Sequence, residues 1–378
     1  MQIKFIPLAL PLALTLACAA GARAQEVVKI GHVAATSGPS AHLGKEDELG
    51  AKMAVEDLNA QGFKINGKAV KFVLLPEDDA ADPKQGAAAA QKLVDAKING
   101  IIGHQNSGTT IPASKIYFDA GIPQISASAT SPVYTRQGYN TAFRVVANDN
   151  KLGGTLGKYA VTKLGAKRIA VIDDRTAYGQ GVASEFAKAA KGPGVSIVAK
   201  EFTTDKATDF NAILTKIKSK NPDLVFFGGM DGVGGPLLRQ MKALGIKAKY
   251  MGGDGICSES LPKLAGGADE SVTCAEAGGV TADKKKDLED FAARFRKKYN
   301  MEVQIYAPYA YDAVMTMATA MANAKSADPA KYLPFLHKVQ YQGVTGPISF
   351  DKYGDINNGA LTLYTYKDNK RTVLEVVK

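Results

Sequence analysis

Short β-branched runs alternate with longer amphipathic stretches in this chain, and the alternation occurs twice. Val27–Val33, Val70–Leu75, Gly100–Gly103 and Ile122–Ser126 read as strands. Between them, Leu49–Gln61 and Pro83–Ala96 carry apolar residues at helical spacing: Leu49, Met53, Val55 and Leu58 in one, Ala87, Ala90, Leu93 and Val94 in the other. The pattern restarts after Val146–Asp149. Arg168–Asp173, Ser196–Lys200, Leu224–Phe227 and Lys249–Met251 are the next strands, and Gly179–Ala190, Asp209–Ser219 and Gly235–Leu244 the next helices. Strands separated by helices need crossover connections, so both sheets are expected to be parallel and covered by helices. Two runs of about 120 residues predict two α/β lobes rather than one large sheet. Further helices are expected at Lys284–Tyr299 and Tyr306–Ala324. The strand-rich tail, Gly346–Val377, must join one lobe or both.

The first 24 residues read as a secretory signal. Lys4 gives a positive start, Phe5–Ala20 is apolar, and Ala22-Arg23-Ala24 is a small-x-small cleavage site that places the mature start near Gln25. The apolar run is short for a membrane span. Lipidation at Cys18 is disfavoured because Leu16 stands where a small residue is usual. The chain is therefore expected to be exported into an oxidising compartment, free and soluble. There Cys257 and Cys274, which remain after cleavage, meet conditions that favour a disulfide. Cleavage removes Lys4 and Arg23 and no acid, so the excess of cations is modest. They are scattered, and the densest group, Lys284–Lys298, is interleaved with Asp287, Glu289 and Asp290. That is a solvated helix face, and no nucleic-acid partner is expected.

Catalytic constellations are missing from the sequence. The four histidines, at 32, 42, 104 and 337, form no zinc spacing, and neither a GxxxxGK[ST] loop nor a GxSxG elbow occurs. Gly179-Gln180-Gly181 only approaches a phosphate-binding turn and reads better as a plain strand-to-helix turn. Asp78-Asp79 and Asp173-Asp174 are adjacent strand residues, so their side chains diverge. His104 reads as a hydrogen-bonded structural imidazole. No enzyme activity, cofactor or metal is expected.

In open parallel sheets, ligands sit beyond the carboxyl ends of the strands. That rule nominates the loops Thr36–Gly44, His104–Thr110, Ser126–Ser131, Asp173–Gly181, Gly228–Gly234 and Gly252–Ser258. Two of them are rich in hydroxyls and amides without lysine or arginine, and both lead towards helix starts, whose free N–H groups attract anions. Ser107 and Thr130 are the candidate donors, with ordinary helix capping as the alternative. A zwitterion also needs an anion for its ammonium. Asp254, in Gly252-Gly253-Asp254-Gly255, is the candidate, with Asp231 as its competitor or a simple turn residue.

In these residues the chain resembles the periplasmic substrate-binding proteins of branched-chain amino acid ABC transporters, over residues 26–378. The resemblance is carried by Ser37-Gly38-Pro39, Asp78-Asp79 with Asp82-Pro83, Ile102-Gly103-His104, Pro112-Ala113-Ser114, Ser128-Ala129-Thr130-Ser131-Pro132, Phe143-Arg144, Tyr178-Gly179, Phe227-Gly228-Gly229, Leu238-Arg239-Gln240 and Thr345-Gly346-Pro347. It implies an α/β type I periplasmic binding protein fold, in which two Rossmann-like lobes are joined by three hinge crossovers around a cleft. Residues 25–147 plus 281–351 would form one lobe, and 148–280 plus 352–378 the other. It also implies a monomeric receptor that closes on an amino acid and delivers it to a membrane permease. By the same resemblance, Ser107 and Thr130 hold the carboxylate, and the Ser128 carbonyl and Thr130 hydroxyl help receive the ammonium. Asp254 replaces the usual Glu, Tyr178 lines the cleft, and Tyr309 falls near a second aromatic position. Leu43 and Met230 stand where leucine-type relatives have Tyr. Asn106 and Ala81 stand where those relatives have a disulfide. An aliphatic amino acid is the expected ligand; an aromatic amino acid, an amide or another small carboxylate, or a role in sensing, stay open.

Overall fold

The computed structural model describes residues 1–2, 25–279, 284–357 and 359–377. The expected signal peptide, beyond its first two residues, and the expected lobe boundary at residues 280–281 lie outside them. The first sheet contains β1 (Glu26–Ala34), β2 (Lys64–Ile65), β3 (Lys68–Asp78), β4 (Gly100–Gly103), β5 (Gln124–Ser126) and β6 (Ala142–Arg144), in the order β2-β3-β1-β4-β5-β6. Only the β2–β3 hairpin is antiparallel. The second sheet begins with β7 (Arg168–Asp173), β8 (Ser196–Phe202), β9 (Leu224–Gly228), β10 (Lys249–Gly252) and β11 (Val272–Glu276). A two-stranded ribbon follows, β12 (Tyr341–Gln342) with β13 (Pro347–Ile348). The chain then completes the second sheet with β14 (Leu361–Lys367) and β15 (Lys370–Val377), giving the order β15-β14-β11-β10-β9-β7-β8. The strand-rich tail is thus divided, and its last two strands enter the second sheet antiparallel.

The central strands β4 and β9 are buried along their whole length, as parallel strands covered on both faces must be. Helices Ala41–Ala60 and Ala307–Asn323 pack together over the first sheet, so the chain has returned to its first lobe after β11. It passes between the sheets three times: after β6, after β11 and between β13 and β14.

Two helices begin a full turn or more before their apolar periodicity predicts. The first starts at Ala41 rather than Leu49; its first turns bury the charged Glu46 and Asp47, which add nothing to an apolar period. This shortens the expected loop Thr36–Gly44 to its first five residues. The helix expected from Gly235 starts at Asp231. Gly234 and Gly235 look like breakers, but a Cβ at either would lie within 2.8 Å of Ile256 or Leu264. These glycines serve close packing, not a turn.

Arg144, at the end of β6, is fully buried and binds four acceptor groups at once. Its guanidinium donates to Asp355 Oδ1 (2.6 Å), to the carbonyls of Ala129 (2.6 Å) and Ser131 (2.9 Å), and to the Thr135 hydroxyl (2.9 Å). Asp355 also accepts from Thr135, Arg136 and Asn148. Burial alone would raise the Asp355 carboxyl, but the Arg144 charge and these donors hold it below the usual range. Main-chain bonds complete the junction, from Arg144 to Gly354 (2.9 Å) and from Ala147 to Ala277 (2.8 Å). Cys257 and Cys274 are joined in a disulfide that fastens the segment after β10 to β11; closing a loop of 17 residues is worth about 3 kcal/mol. Asp355→Ala leaves Arg144 buried without its counter-charge and is expected to lower stability by about 3–5 kcal/mol, read by urea unfolding.

Candidate functional site

The strand ends of the two sheets face each other across a cleft of about 390 Å³, lined from one side by Ser37, Pro39 and Ala81 and from the other by Arg175, Lys206 and Val233. At its inner end lies a small chamber between Gln105, Asn106, Ser107 and Ser128 on the first lobe and Tyr178, Met230 and Asp254 on the second, with Tyr306 closing it. The chamber measures about 10 Å³, room for one water. A larger guest enters only when the lobes part or the side chains move.

The first-lobe wall is built from His104 outward. Its ring nitrogens lie 3.1 Å from Asp79 Oδ2 and 3.0 Å from the Tyr117 hydroxyl, while its carbonyl accepts from the hydroxyls of Thr110 (2.9 Å) and Ser126 (3.0 Å). One fixed histidine therefore ties together the two loops that follow β4 and β5. Ser128 Oγ donates to the Gln105 carbonyl (2.7 Å), and Ser107 Oγ accepts from the Ser131 amide (3.2 Å), which locks the loops side by side. Ser107 also opens the helix Ser107–Asp119, whose first N–H groups have no intrahelical acceptor. Asn106 occupies the cap position, but its side chain makes no capping bond. Gln105 Nε2 and Asn106 Oδ1 are buried without a hydrogen bond, whereas the Thr130 hydroxyl faces the Asp149 carboxyl. Buried polar atoms normally have partners, so this wall is short of them.

The second-lobe wall centres on Asp254, the first residue of a 3₁₀ turn after β10. Oδ1 accepts from the Tyr178 hydroxyl at 2.8 Å and Oδ2 from the Tyr306 hydroxyl at 2.9 Å. The Gly255 amide donates to the Tyr178 oxygen at 2.9 Å. The flanking glycines are steric requirements: a Cβ on Gly253 would stand 2.6 Å from the Tyr178 hydroxyl, and one on Gly255 2.6 Å from the Gly229 carbonyl. Asp254 forms no ion pair with any described Lys, Arg or His. Burial pushes its pKa up to about 6, against the pull of the two tyrosine hydrogen bonds. Nearby, Asp149 opens the helix Asp149–Thr162 and gives its amide to the Thr130 carbonyl (2.9 Å); burial pushes its carboxyl up to about 7.

Asn106, Ser107, Ser128, Tyr178, Met230 and Asp254 thus meet at the chamber. Thr130 is buried beside it and is not part of its lining. Two expected residues lie elsewhere. Leu43 is buried in the apolar cluster of the second lobe, with Phe227, Ile256 and Tyr306. Tyr309 donates to Glu276 Oε1 (2.7 Å), and Glu276 in turn faces Arg371 (3.3 Å). The tyrosine of this segment that joins Tyr178 on Asp254 is Tyr306, three residues earlier; the sequence offers both Tyr306 and Tyr309 at the start of one apolar helix, and only packing selects between them. Tyr306 stands at the helix cap position, where Ser, Thr, Asp or Asn is usual, and that mismatch was the available signal. Gln105 gave none. Asp231 is taken by other partners: it accepts from Ser258 Oγ and lies 2.8 Å from His42 Nε2, so it ties the lobes at the cleft mouth. Among the described residues no group of His, Cys, Asp or Glu is placed to hold a metal, and no helix is long and apolar enough to cross a membrane.

Neutral donors on one wall and a lone acid on the other match a small zwitterion. In Tyr178→Phe the carboxylate loses a donor, so the Asp254 titration midpoint, followed by NMR, is expected to rise further above about 6.

The profile of the family described as "Periplasmic binding protein" matches residues 27–371. The chain is 35% identical over 351 residues to the leucine-, isoleucine-, valine-, threonine- and alanine-binding protein of Pseudomonas aeruginosa, covering 92% of each. It is 36% identical over 347 residues to a leucine-specific-binding protein of Salmonella typhimurium, covering 90% of this chain and 91% of that one. Its structure is similar to that of a branched-chain amino acid transporter substrate-binding protein from Streptococcus pneumoniae in complex with isoleucine, with a TM-score of 0.85 at 30% identity, covering 93% of this chain and all of that one.

Proposed function

We propose, from the premise that this chain belongs to the periplasmic binding protein family, that it is a solute receptor which closes on an aliphatic amino acid and delivers it to a membrane ABC permease. Residues 1–24 would direct its export and be removed. The observation that carries this reading is the facing of Asp254 against Ser107, Ser128 and the amide start of helix Ser107–Asp119 across one chamber. In the open form the first lobe takes the carboxylate through the Ser107 and Thr130 hydroxyls and backbone amides. The Ser128 carbonyl and the Thr130 hydroxyl receive part of the ammonium. Closure brings Asp254 to the ammonium, with Tyr178 and Met230 beside the ligand. Only the closed form makes both sets of contacts, so ligand shifts the population towards it.

Neutral donors suit a site that opens and shuts. A buried lysine would be left unpaired whenever the cleft is empty, whereas hydroxyls and amides tolerate water. Micromolar affinity corresponds to about −8 kcal/mol, within reach of several charge-assisted hydrogen bonds at about 1.5–3 kcal/mol each together with apolar burial. Calorimetry on protein freed of ligand by unfolding and refolding tests the reading, with leucine, isoleucine, valine, alanine, phenylalanine and amides as the panel. Heat with the aliphatic set is the expected outcome, and no heat with any amino acid overturns it.

Thr130→Ala is expected to weaken binding about tenfold or more. The pH dependence has a definite direction. An ammonium pairs with the ionised form of Asp254, whose pKa in the ligand-free fold is about 6. Affinity is therefore expected to be level above pH 7 and to fall by up to tenfold per unit below pH 6, in titrations from pH 7.5 to 5.

A further inference from the structure

The helix Ala307–Asn323 begins without a cap of its own. Its cap position holds Tyr306, which makes no side-chain capping bond. The acceptor comes instead from another helix. Glu46, fully buried on Ala41–Ala60, takes the amides of Ile305 (2.6 Å) and Tyr306 on Oε1 and those of Ala307 (3.1 Å) and Gln304 (3.3 Å) on Oε2. A carboxylate at the positive end of a helix is well placed electrostatically. One turn further along the same helix, Gly50 lets the two backbones touch, since a Cβ there would stand 2.2 Å from the Ala307 carbonyl. The segment so gripped is the one that reaches the second lobe: Gln304 accepts from Ser260 Oγ at 2.9 Å, and Tyr306 donates to Asp254 at 2.9 Å.

We infer that Glu46 is a positioning residue for ligand recognition: it caps the helix in place of residue 306, and so leaves that position to a tyrosine that carries its hydroxyl across the cleft to Asp254. A Ser or Asp at 306 would cap the helix locally but could not span that distance. Delegating the cap to Glu46 separates the two tasks and fixes the Tyr306 backbone through its own amide and those on either side of it. The inference rests on the proposed role of Asp254 in receiving the ammonium.

A double-mutant cycle tests it, reading the leucine Kd by calorimetry in the full chain. In Glu46→Gln one acceptor oxygen becomes an NH2 that confronts two backbone donors. Both E46Q and Y306F are expected to weaken binding about tenfold, and the double variant is expected to bind no more weakly than Y306F alone. Additive losses, or an E46Q protein with native affinity and only a lowered Tm, overturn the inference. If E46Q does not fold, Glu46→Asp, which keeps the charge but draws it back by one methylene, takes its place in the cycle. Failure of wild-type protein to bind any amino acid refutes the proposed function instead. Glu46 is then judged on ligand-free crystal structures of wild type and of E46Q or E46D, superposed on the first lobe: a Tyr306 backbone and side chain displaced from their wild-type place against the helix Ala41–Ala60 support its positioning role, and an unmoved Tyr306 overturns it.

Discussion

A carboxylate buried between two sheets, with no cation beside it among the described residues, is the constraint around which this molecule is arranged. Asp254 retains its place because two tyrosine hydroxyls, one from each side of the cleft, supply donors in place of water. Those hydroxyls meet only when the lobes are together, so the stability of the closed arrangement and the chemistry of the site share the same bonds. Two neutral donors leave the charge uncompensated, which is why burial still lifts the carboxyl towards neutrality. In the proposed function an ammonium is the group that resolves that imbalance.

The opposite wall follows a different logic. There the fold gathers donors around His104, whose ring is held by Asp79 and Tyr117 and whose carbonyl holds the hydroxyls of Thr110 and Ser126. Arg144 binds the carbonyls of Ala129 and Ser131 from behind, and through Asp355 joins that loop to the third crossover. The cationic side chain is thus spent on structure beneath the site rather than on ligand within it. The same bonds that shape the loop after β5 fasten it to the crossover segments between the lobes, a coupling that follows from having β6 at the edge of the first sheet, next to the crossovers.

Much of the frame is written in local pattern. Short continuous apolar runs mark β1, β4, β7 and β9, and period-3.6 hydrophobicity most helices, because those elements bury one continuous apolar set. The pattern fails where burial is polar or glycine-lined. Glu46 and Asp47 hide the start of the first long helix, and Gly234 and Gly235 hide the start of another, since charge and glycine signal surface and turn until a neighbouring element is present to pack against them. In the site, Ser107, Ser128 and Asp254 are legible because strand ends in a parallel sheet are few and those residues stand on them.

By itself, then, the sequence determined two parallel α/β lobes, the loops that carry donors, and one acid in a glycine-rich turn, all of which depend on residue type and spacing along the chain. Tertiary structure alone decided which tyrosine meets that acid. Tyr306 and Tyr309 differ by three positions on one segment, and the choice rests on Glu46, some 260 residues away in the chain, gripping the backbone amides around Tyr306. It likewise turned Asp231 away from the chamber and onto His42 and Ser258. Contacts between distant segments leave no period in a sequence, because their partners are set by how helices and sheets stack rather than by neighbours along the chain.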